Sequence, residues 1–287
     1  MKCLYPNINN SFAVSPEFKE DYTYKIQIGF EHLKESTIGI VGLCRNVGKK
    51  IDSLKIFIQT LNQFTNIKTF LYENDSLDNT KELLSNMKKE INNFNYVSKT
   101  LKAKQFGQTK ERERTTKLAK YRNECLKYAK TNFKDTDYIL VIDTDFIEIS
   151  LEGLLHSFGC IKTNDKISAM CGISYQYKYL FNKNSRTPWN YDSWAFRGTW
   201  WEDQHNYTKG FDNMLWFGFW CPPLGSSPIP INSGFGASCI YKTQQYVNCE
   251  YEGYDCEHVC FHKNLKNTYP DFQLFINPSQ IILLDIL

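Results

Sequence analysis

The chain has 287 residues, 42% of them hydrophobic, with 34 basic against 31 acidic side chains and a formal net charge of +3. That length and apolar content describe a folded, soluble chain of enzyme size, one large α/β domain or two small ones. The charge is spread along the chain apart from a modest basic run from Lys99 to Arg114, which is too weak a bias to predict a nucleic-acid partner. Ten cysteines with no Cys-x-x-Cys pair predict reduced thiols and a cytoplasmic protein. The first residues lack the apolar core of a signal peptide, and no stretch approaches the ~20 apolar residues of a membrane helix.

Residues 1–35 are polar and aperiodic and read as an N-terminal arm. Ser36 to Gly42 reads as a strand, followed by Arg45-Asn46 and a helix from about Lys49 to Phe64 that places Ile51, Leu54, Ile58 and Leu61 on one face. Ile67 to Tyr72 is a second strand ending in Glu73-Asn74-Asp75-Ser76. Asp78-Asn79-Thr80 then opens a helix carrying Leu83, Leu84, Met87 and Ile91. A third strand spans Phe94 to Ser98, and a basic loop from Leu101 to Lys110 leads to a helix from about Arg112 to Lys130. Strand, polar tip and helix in alternation are the unit of a parallel sheet. Ligands of such sheets bind at the strands' C-terminal ends, where every polar cluster here falls.

The next strand, Tyr138 to Ile142, is a buried-type apolar run that stops on Asp143 and Asp145. Side chains alternate faces along extended backbone, so these acids point the same way if the geometry persists. Two converging carboxylates either cap a turn before the helix near Ser150 or hold a hard divalent cation, Mg2+ or Mn2+, that keeps positions open for phosphate. A strand follows at Ile167 to Tyr175. The segment 175–220 contains all six tryptophans of the chain and reads as a folded aromatic region, either a wall for sugar C–H faces or a mini-core shielding the sheet. Ile231 to Lys242 reads as one strand with Gly234 and Gly236 allowing close approach. Asp255 reads as the N-cap of a helix through His262, and Phe272 to Asn277 as the last strand. No repeat or linker appears, which predicts one domain.

Taken together, Leu43-Cys44-Arg45-Asn46, Tyr72-Glu73-Asn74-Asp75-Ser76 with Asp78 and Thr80, the helix carrying Arg122-Asn123, and the Asp143-x-Asp145 strand tip resemble the GT-A nucleotide-sugar glycosyltransferases in type and order. The narrower likeness is to fungal capsule-associated α-1,3-mannosyltransferase-like enzymes. The resemblance covers residues 36–150, and it departs from the family pattern at Asn74, where an acid is expected. It implies a single α/β domain of GT-A (Rossmann-like) type over residues 36–287, with a mixed, mainly parallel sheet flanked by helices. Residues 36–150 would be the nucleotide-sugar half and 151–287 the acceptor half, with 175–220 an aromatic-rich insertion.

The resemblance further implies Mn2+ or Mg2+ on Asp143 and Asp145, with His258 as a candidate third ligand and His262 one turn on. A GDP- or UDP-sugar donor would lie against Arg45, Asn46, Glu73, Asn74, Ser76, Arg122, Asn123 and Asp143. A glycan or protein hydroxyl acceptor would meet Trp189, Asp192 and Trp194. Glu257 and Asp255 are the catalytic candidates, as general base if the enzyme inverts or as acceptor-orienting groups if it retains. Two rivals are weaker. A haloacid-dehalogenase-like phosphatase expects Thr or Val where Ile147 stands. A catalytically inactive carbohydrate-binding module on the same fold has no use for the intact acid pair.

Overall fold

The computed structural model describes residues 6–104, 106, 111–182, 185–199 and 215–285. The chain opens with helix α1 (Pro6–Ser11), a 3-10 turn at Pro16–Phe18 and helix α2 (Lys19–Lys34). The expected aperiodic arm is therefore largely helical. Local signals support this: Pro16 sits in the first turn, and Glu20 and Asp21 lie at the positive end of α2. The N-terminal peptide groups of α1, those of Asn7 and Ile8, donate to the Glu148 carboxylate at 3.2 and 3.0 Å, a partner invisible to local patterning.

The chain then alternates β1 (Thr37–Cys44), α3 (Ile51–Leu61), β2 (Asn66–Asn74), α4 (Thr80–Glu90), β3 (Phe94–Lys99), α5 (Arg112–Asn132) and β4 (Tyr138–Asp143). After β4 come β5 (Glu148–Ile149), α6 (Leu151–Thr163), β6 (Ala169–Asn182), β7 (Ser185–Asn190), β8 (Arg197–Gly198), α7 (Leu215–Phe219) and β9 (Ile229–Ser233). Last are β10 (Ser238–Lys242), α8 (Thr243–Tyr246), α9 (Glu257–Thr268) and β11 (Leu274–Asp285). The result is the expected mixed, mainly parallel sheet flanked by helices. Among the described residues no helix is long and apolar enough to cross a membrane.

The residues divide into two compact units. One comprises residues 33–145 and 240–271. Its strands run in the order β3-β2-β1-β4, and all three pairings are parallel. Strand β1 is buried on both faces, as a central parallel strand requires. Leu54, Ile58 and Leu61 of α3 are fully buried, each contributing about 1.5–3 kcal/mol. Helix α5 lies along β2 through the stacked rings of Phe70 and Tyr128, 3.8 Å apart. The register pairs Leu43 with Asp143 and Cys44 with Glu73, so β1, β2 and β4 end at one level and their following loops share one edge.

The other unit holds the described parts of residues 1–32, 146–239 and 272–287. Here β6 and β11 run parallel, while β9 on β11, β7 on β6 and β8 on β9 are antiparallel. Helix α6 begins where expected, with Ser150 Oγ accepting from Gly153 N at 2.9 Å. Two strand expectations change. The final strand does not stop at Asn277: it shifts register between Ile276 and Ile281 and continues to Asp285, and within the shifted stretch the Asn277 side-chain amide bonds Ser157 Oγ at 2.7 Å and His156 Nδ1 at 3.1 Å. The expected strand from Ile231 to Lys242 is two strands, broken by left-handed backbone at Gly236 (φ 57°) and Ala237 (φ 62°). Glycine is required at 236, where a Cβ would lie 2.0 Å from the carbonyl oxygen of Gly172.

Candidate active site

The loops leaving β1 and β2 tie each other down. Asn46, in left-handed conformation (φ 52°), donates its peptide N–H to Ser76 Oγ at 3.0 Å and accepts from Leu77 N at 2.7 Å through its side chain. Val47 N donates to Thr80 Oγ1 at 2.9 Å and Gly48 N to Asp78 Oδ2 at 2.9 Å. Glu73, with no solvent exposure, accepts from Ser76 N at 2.8 Å and from the Ser98 hydroxyl. Asn74 is also buried, and its amide donates to Asp75 Oδ2 at 3.0 Å. Glu73 and Asn74, expected on the nucleotide side, lie enclosed at the tip of β2. Their polar atoms are enclosed and hold the loop, and Asn46 and Ser76 serve the same scaffold.

Sequence reading missed the central role of Asp75. Its carboxylate accepts from the peptide N–H groups of Leu101, Lys102 and Ala103 at 2.7, 2.9 and 3.2 Å, fixing the start of the basic loop. Burial raises its pKa, but the Asn74 amide and these three peptide donors outweigh that and hold it below the ordinary value. The left-handed φ of 55° at Asp75, in a residue type that tolerates it, is the local signature of that turn.

Arg45 stands apart from this satisfied network. Its Nε and Nη2 are buried and have no hydrogen-bond partner. Buried guanidinium donors without an acceptor are costly, and an anion beside them removes the cost. Arg45 follows Cys44 out of the sheet beside the tip of β4, where Lys50 Nζ donates to the backbone carbonyl of Asp145 at 2.9 Å.

Arg122, on α5, links two acids. Its Nη2 lies 3.1 Å from Asp143 Oδ1 and its Nε 3.0 Å from Glu257 Oε1, with the Arg122 and Glu257 side chains both almost wholly buried. Burial alone would lower the guanidinium pKa, but the carboxylates of Glu257 and then Asp143 reverse this and raise it. The neighbouring Asn123 pairs both ways with the Tyr251 peptide, donating to its carbonyl at 2.9 Å and accepting from its N–H at 2.8 Å. Thr115 Oγ1 adds a bond to Gly253 O at 2.8 Å. Helix α5 thus clamps the loop that delivers Glu257.

The N-cap of α9 is Cys256, and Asp255, expected as the cap, lies one residue earlier with Oδ1 accepting from Cys256 N at 2.6 Å. Burial first, then Arg122 and His262, hold the His258 pKa well below 6.5, and burial pushes His262 down to about 3. His262 Nε2 lies 2.7 Å from the Tyr241 hydroxyl.

Asp143 is partly exposed and Asp145 exposed at the strand tip. Among the described residues no group of three or more His, Cys, Asp or Glu side chains is arranged to cage a metal. His258 is buried, edge-on to Tyr251 and stacked with His262, so the expected third ligand is an enclosed ring. The donor set fits a hard cation that takes one or two carboxylates and completes its shell with water and phosphate oxygens. It does not fit a closed structural site.

The expected acceptor contacts belong to the other unit. Trp189, on β7, lies edge-on to Phe219 at 4.8 Å with Lys178 Nζ 5.0 Å from its ring centroid. Asp192 Oδ2 accepts from Gly236 N at 2.8 Å, and the Trp194 carbonyl accepts from Arg197 Nη1 at 2.8 Å. Trp200 and Trp201 lie outside the described residues.

The edge of the parallel sheet thus carries Arg45, Asp143 and Asp145, with Glu257 joined to it through Arg122. The chain belongs to the family described as Cryptococcal mannosyltransferase 1, which matches residues 45–220, more than half its length. No curated protein sequence matches it. Among solved structures, glucosyl-3-phosphoglycerate synthase from Mycobacterium tuberculosis, in complex with Mn2+, uridine diphosphate and phosphoglyceric acid, is 12% identical with a TM-score of 0.50. That match covers 88% of this chain and 72% of the other, and shows the fold. S. aureus TarS is 13% identical with a TM-score of 0.46, over 86% of this chain and 59% of that one. The mannosyltransferase PcManGT from Pyrobaculum calidifontis, in complex with GDP-Man and Mn2+, is 8% identical with a TM-score of 0.47, over 93% and 66%. The chain thus spans less than two thirds of the TarS chain it resembles.

Proposed function

We propose that this protein transfers a hexose, of mannose or glucose type, from a nucleotide-diphosphate sugar to a hydroxyl of a glycan or protein acceptor, with Mn2+ or Mg2+ as cofactor. The observation that carries the proposal is the buried Arg122, which joins the partly exposed strand-tip acid Asp143 to the buried helix-start acid Glu257. Family membership and the Mn2+ and uridine diphosphate of the mycobacterial structural neighbour support it.

Asp143 and Asp145 would hold the metal, which when bound offsets the charge that develops on the leaving diphosphate. Arg45 supplies the unpaired donors an anionic diphosphate needs. Asn46, Glu73, Asn74 and Ser76 are assigned to the nucleotide side and also brace the loops there, and Asn123 keeps the Glu257 loop in place. Glu257 and Asp255 are the acids assigned to the acceptor hydroxyl, and Trp189, Asp192 and Trp194 to the acceptor's sugar faces and hydroxyls. The described cysteines form no disulfide with one another, which supports a reducing, cytoplasmic setting.

The test is thermal stabilisation and slow donor hydrolysis with Mn2+ across GDP-mannose, UDP-glucose, UDP-galactose and UDP-N-acetylhexosamines, for the native protein and Asp145→Ala. One donor is expected to give Mn2+-dependent stabilisation and hydrolysis, both lost in the variant. Stabilisation of about 2.7 kcal/mol is expected at a donor concentration 100-fold above Kd. Turnover of simple phosphate esters instead, or glycan binding with no donor response, would overturn the proposal.

A further inference from the structure

Among the described side chains of the unit of residues 146–239 with a buried atom that lacks a hydrogen-bond partner, one lines a cavity on an apolar wall. Asn190, at the end of β7, is 2% exposed, and its amide nitrogen has no hydrogen-bond acceptor. It lines a small cavity with Asp192, Phe196, Phe217 and the glycine turn 234–236. That cavity holds about 180 Å³ of atom-free space counting its open mouth, and its enclosed part has room for one water-sized group. Asp192 is held at the rim by the N–H of Gly236 at 2.8 Å. Phe196 and Phe217 stack 4.2 Å apart and form an apolar wall.

An unpaired amide donor and a carboxylate acceptor two residues apart, over an aromatic wall, match one chemical group well. A hydroxyl accepts from an amide N–H and donates to a carboxylate, and the C–H groups beside it on a pyranose ring suit an aromatic face. The cavity is far below the ~300–1,000 Å³ of a site that engulfs a ligand, so only an edge of a sugar enters it. We propose that Asn190 and Asp192 form a subsite that recognises one hydroxyl of a hexopyranose, with Asn190 the specificity-determining donor.

The inference rests on the proposed function for the sugar's identity but not for the binding itself. A hexose hydroxyl has two sources, the donor's sugar or the acceptor glycan, and the subsite's chemistry is the same for both. An unpaired amide donor beside a cavity favours any group there that can accept its hydrogen bond.

The experiment uses the full chain with Mn2+, native and as Asn190→Ala, with Asn190→Ser as a second variant that keeps a shorter donor. Calorimetry or saturation-transfer NMR measures binding of methyl α-mannoside and methyl α-glucoside with their 2-, 3-, 4- and 6-deoxy analogues, and of GDP-mannose and UDP-glucose against GDP and UDP. The native protein is expected to bind one deoxy analogue about 3- to 10-fold more weakly than its parent, the effect of one lost neutral hydrogen bond. Asn190→Ala is expected to bind parent and analogue alike, while its Tm stays at or above the native value. Loss of discrimination among the free glycosides marks the acceptor as the source. A fall in the nucleotide-sugar to nucleotide affinity ratio marks the donor. Undiminished discrimination in Asn190→Ala, no deoxy-sensitive binding by the native protein, or unfolding of both variants would overturn the inference, leaving a water-filled cavity or a structural asparagine. Absent donor hydrolysis in the native protein would count against the proposed function alone.

Discussion

Arg122 Nε lies 3.0 Å from Glu257 Oε1, joining side chains 135 residues apart in a buried ion pair. Removing one member of such a pair strands the other without solvent, so Arg122→Met is expected to cost about 3–5 kcal/mol of stability. Replacing both, as Arg122→Met with Glu257→Met, is expected to recover most of that stability while leaving donor and transfer activity abolished. Urea denaturation of the single and double variants, with activity measured alongside, checks both halves. A double variant as unstable as Arg122→Met would show that the arginine's importance lies in its bond to Asp143.

Arg45 is expected to behave in the opposite way. Its buried Nε and Nη2 have no partner, so Arg45→Met loses no native hydrogen bond from them, removes the cost of burying them unpaired, and is expected to leave stability unchanged or raise it by about 1–3 kcal/mol. Nucleotide affinity, measured with GDP and UDP in the presence of Mn2+, is expected to fall about 10- to 100-fold, the scale of one or two charge-assisted bonds. Unchanged nucleotide affinity would detach Arg45 from the diphosphate.

Asn123 binds both polar groups of the Tyr251 peptide, and so acts on Glu257 through the backbone. Asn123→Ala is expected to cost about 2 kcal/mol, from two lost bonds. Transfer kcat should drop by about 10-fold or more with little change in donor KM. A rise in donor KM at constant kcat would instead identify Asn123 as a ligand contact.

His156 sets an acid limit on the fold. Burial lowers its pKa to about 4, with Asp21 and the Asn277 amide opposing in part. An unfolded histidine takes up a proton near pH 6.5, so the unfolded state binds more protons through this window. The contribution of His156 to stability is complete above about pH 6.5 and is lost as pH falls toward 4, at up to about 1.4 kcal/mol per pH unit. Urea midpoints between pH 7.5 and 4.5 should decline, and less steeply in His156→Gln. Equal slopes would remove His156 as the cause.

The β-α alternation of residues 36–150, the Asp143 and Asp145 strand tip, the helix carrying Arg122 and Asn123, and the acid at the start of the last helix are all legible in local residue patterns. These are local properties: a buried parallel strand is a continuous apolar run, an amphipathic helix repeats every 3.6 residues, and charge at a strand tip interrupts both patterns. The tertiary structure alone decided the rest. Only the folded chain shows that Glu73 and Asn74 are enclosed, that Asn46 and Ser76 hold each other, that Arg45 is left without an acceptor, and that Arg122 reaches Glu257. It also split the strand at Gly236 and Ala237 and made helices of Pro6–Ser11 and Lys19–Lys34, the first capped by Glu148. The physical reason is that periodicity records which residues are buried, whereas a polar residue's role depends on which partner arrives across the chain. That choice is made by packing between segments a hundred or more residues apart, and it leaves no local trace in the sequence.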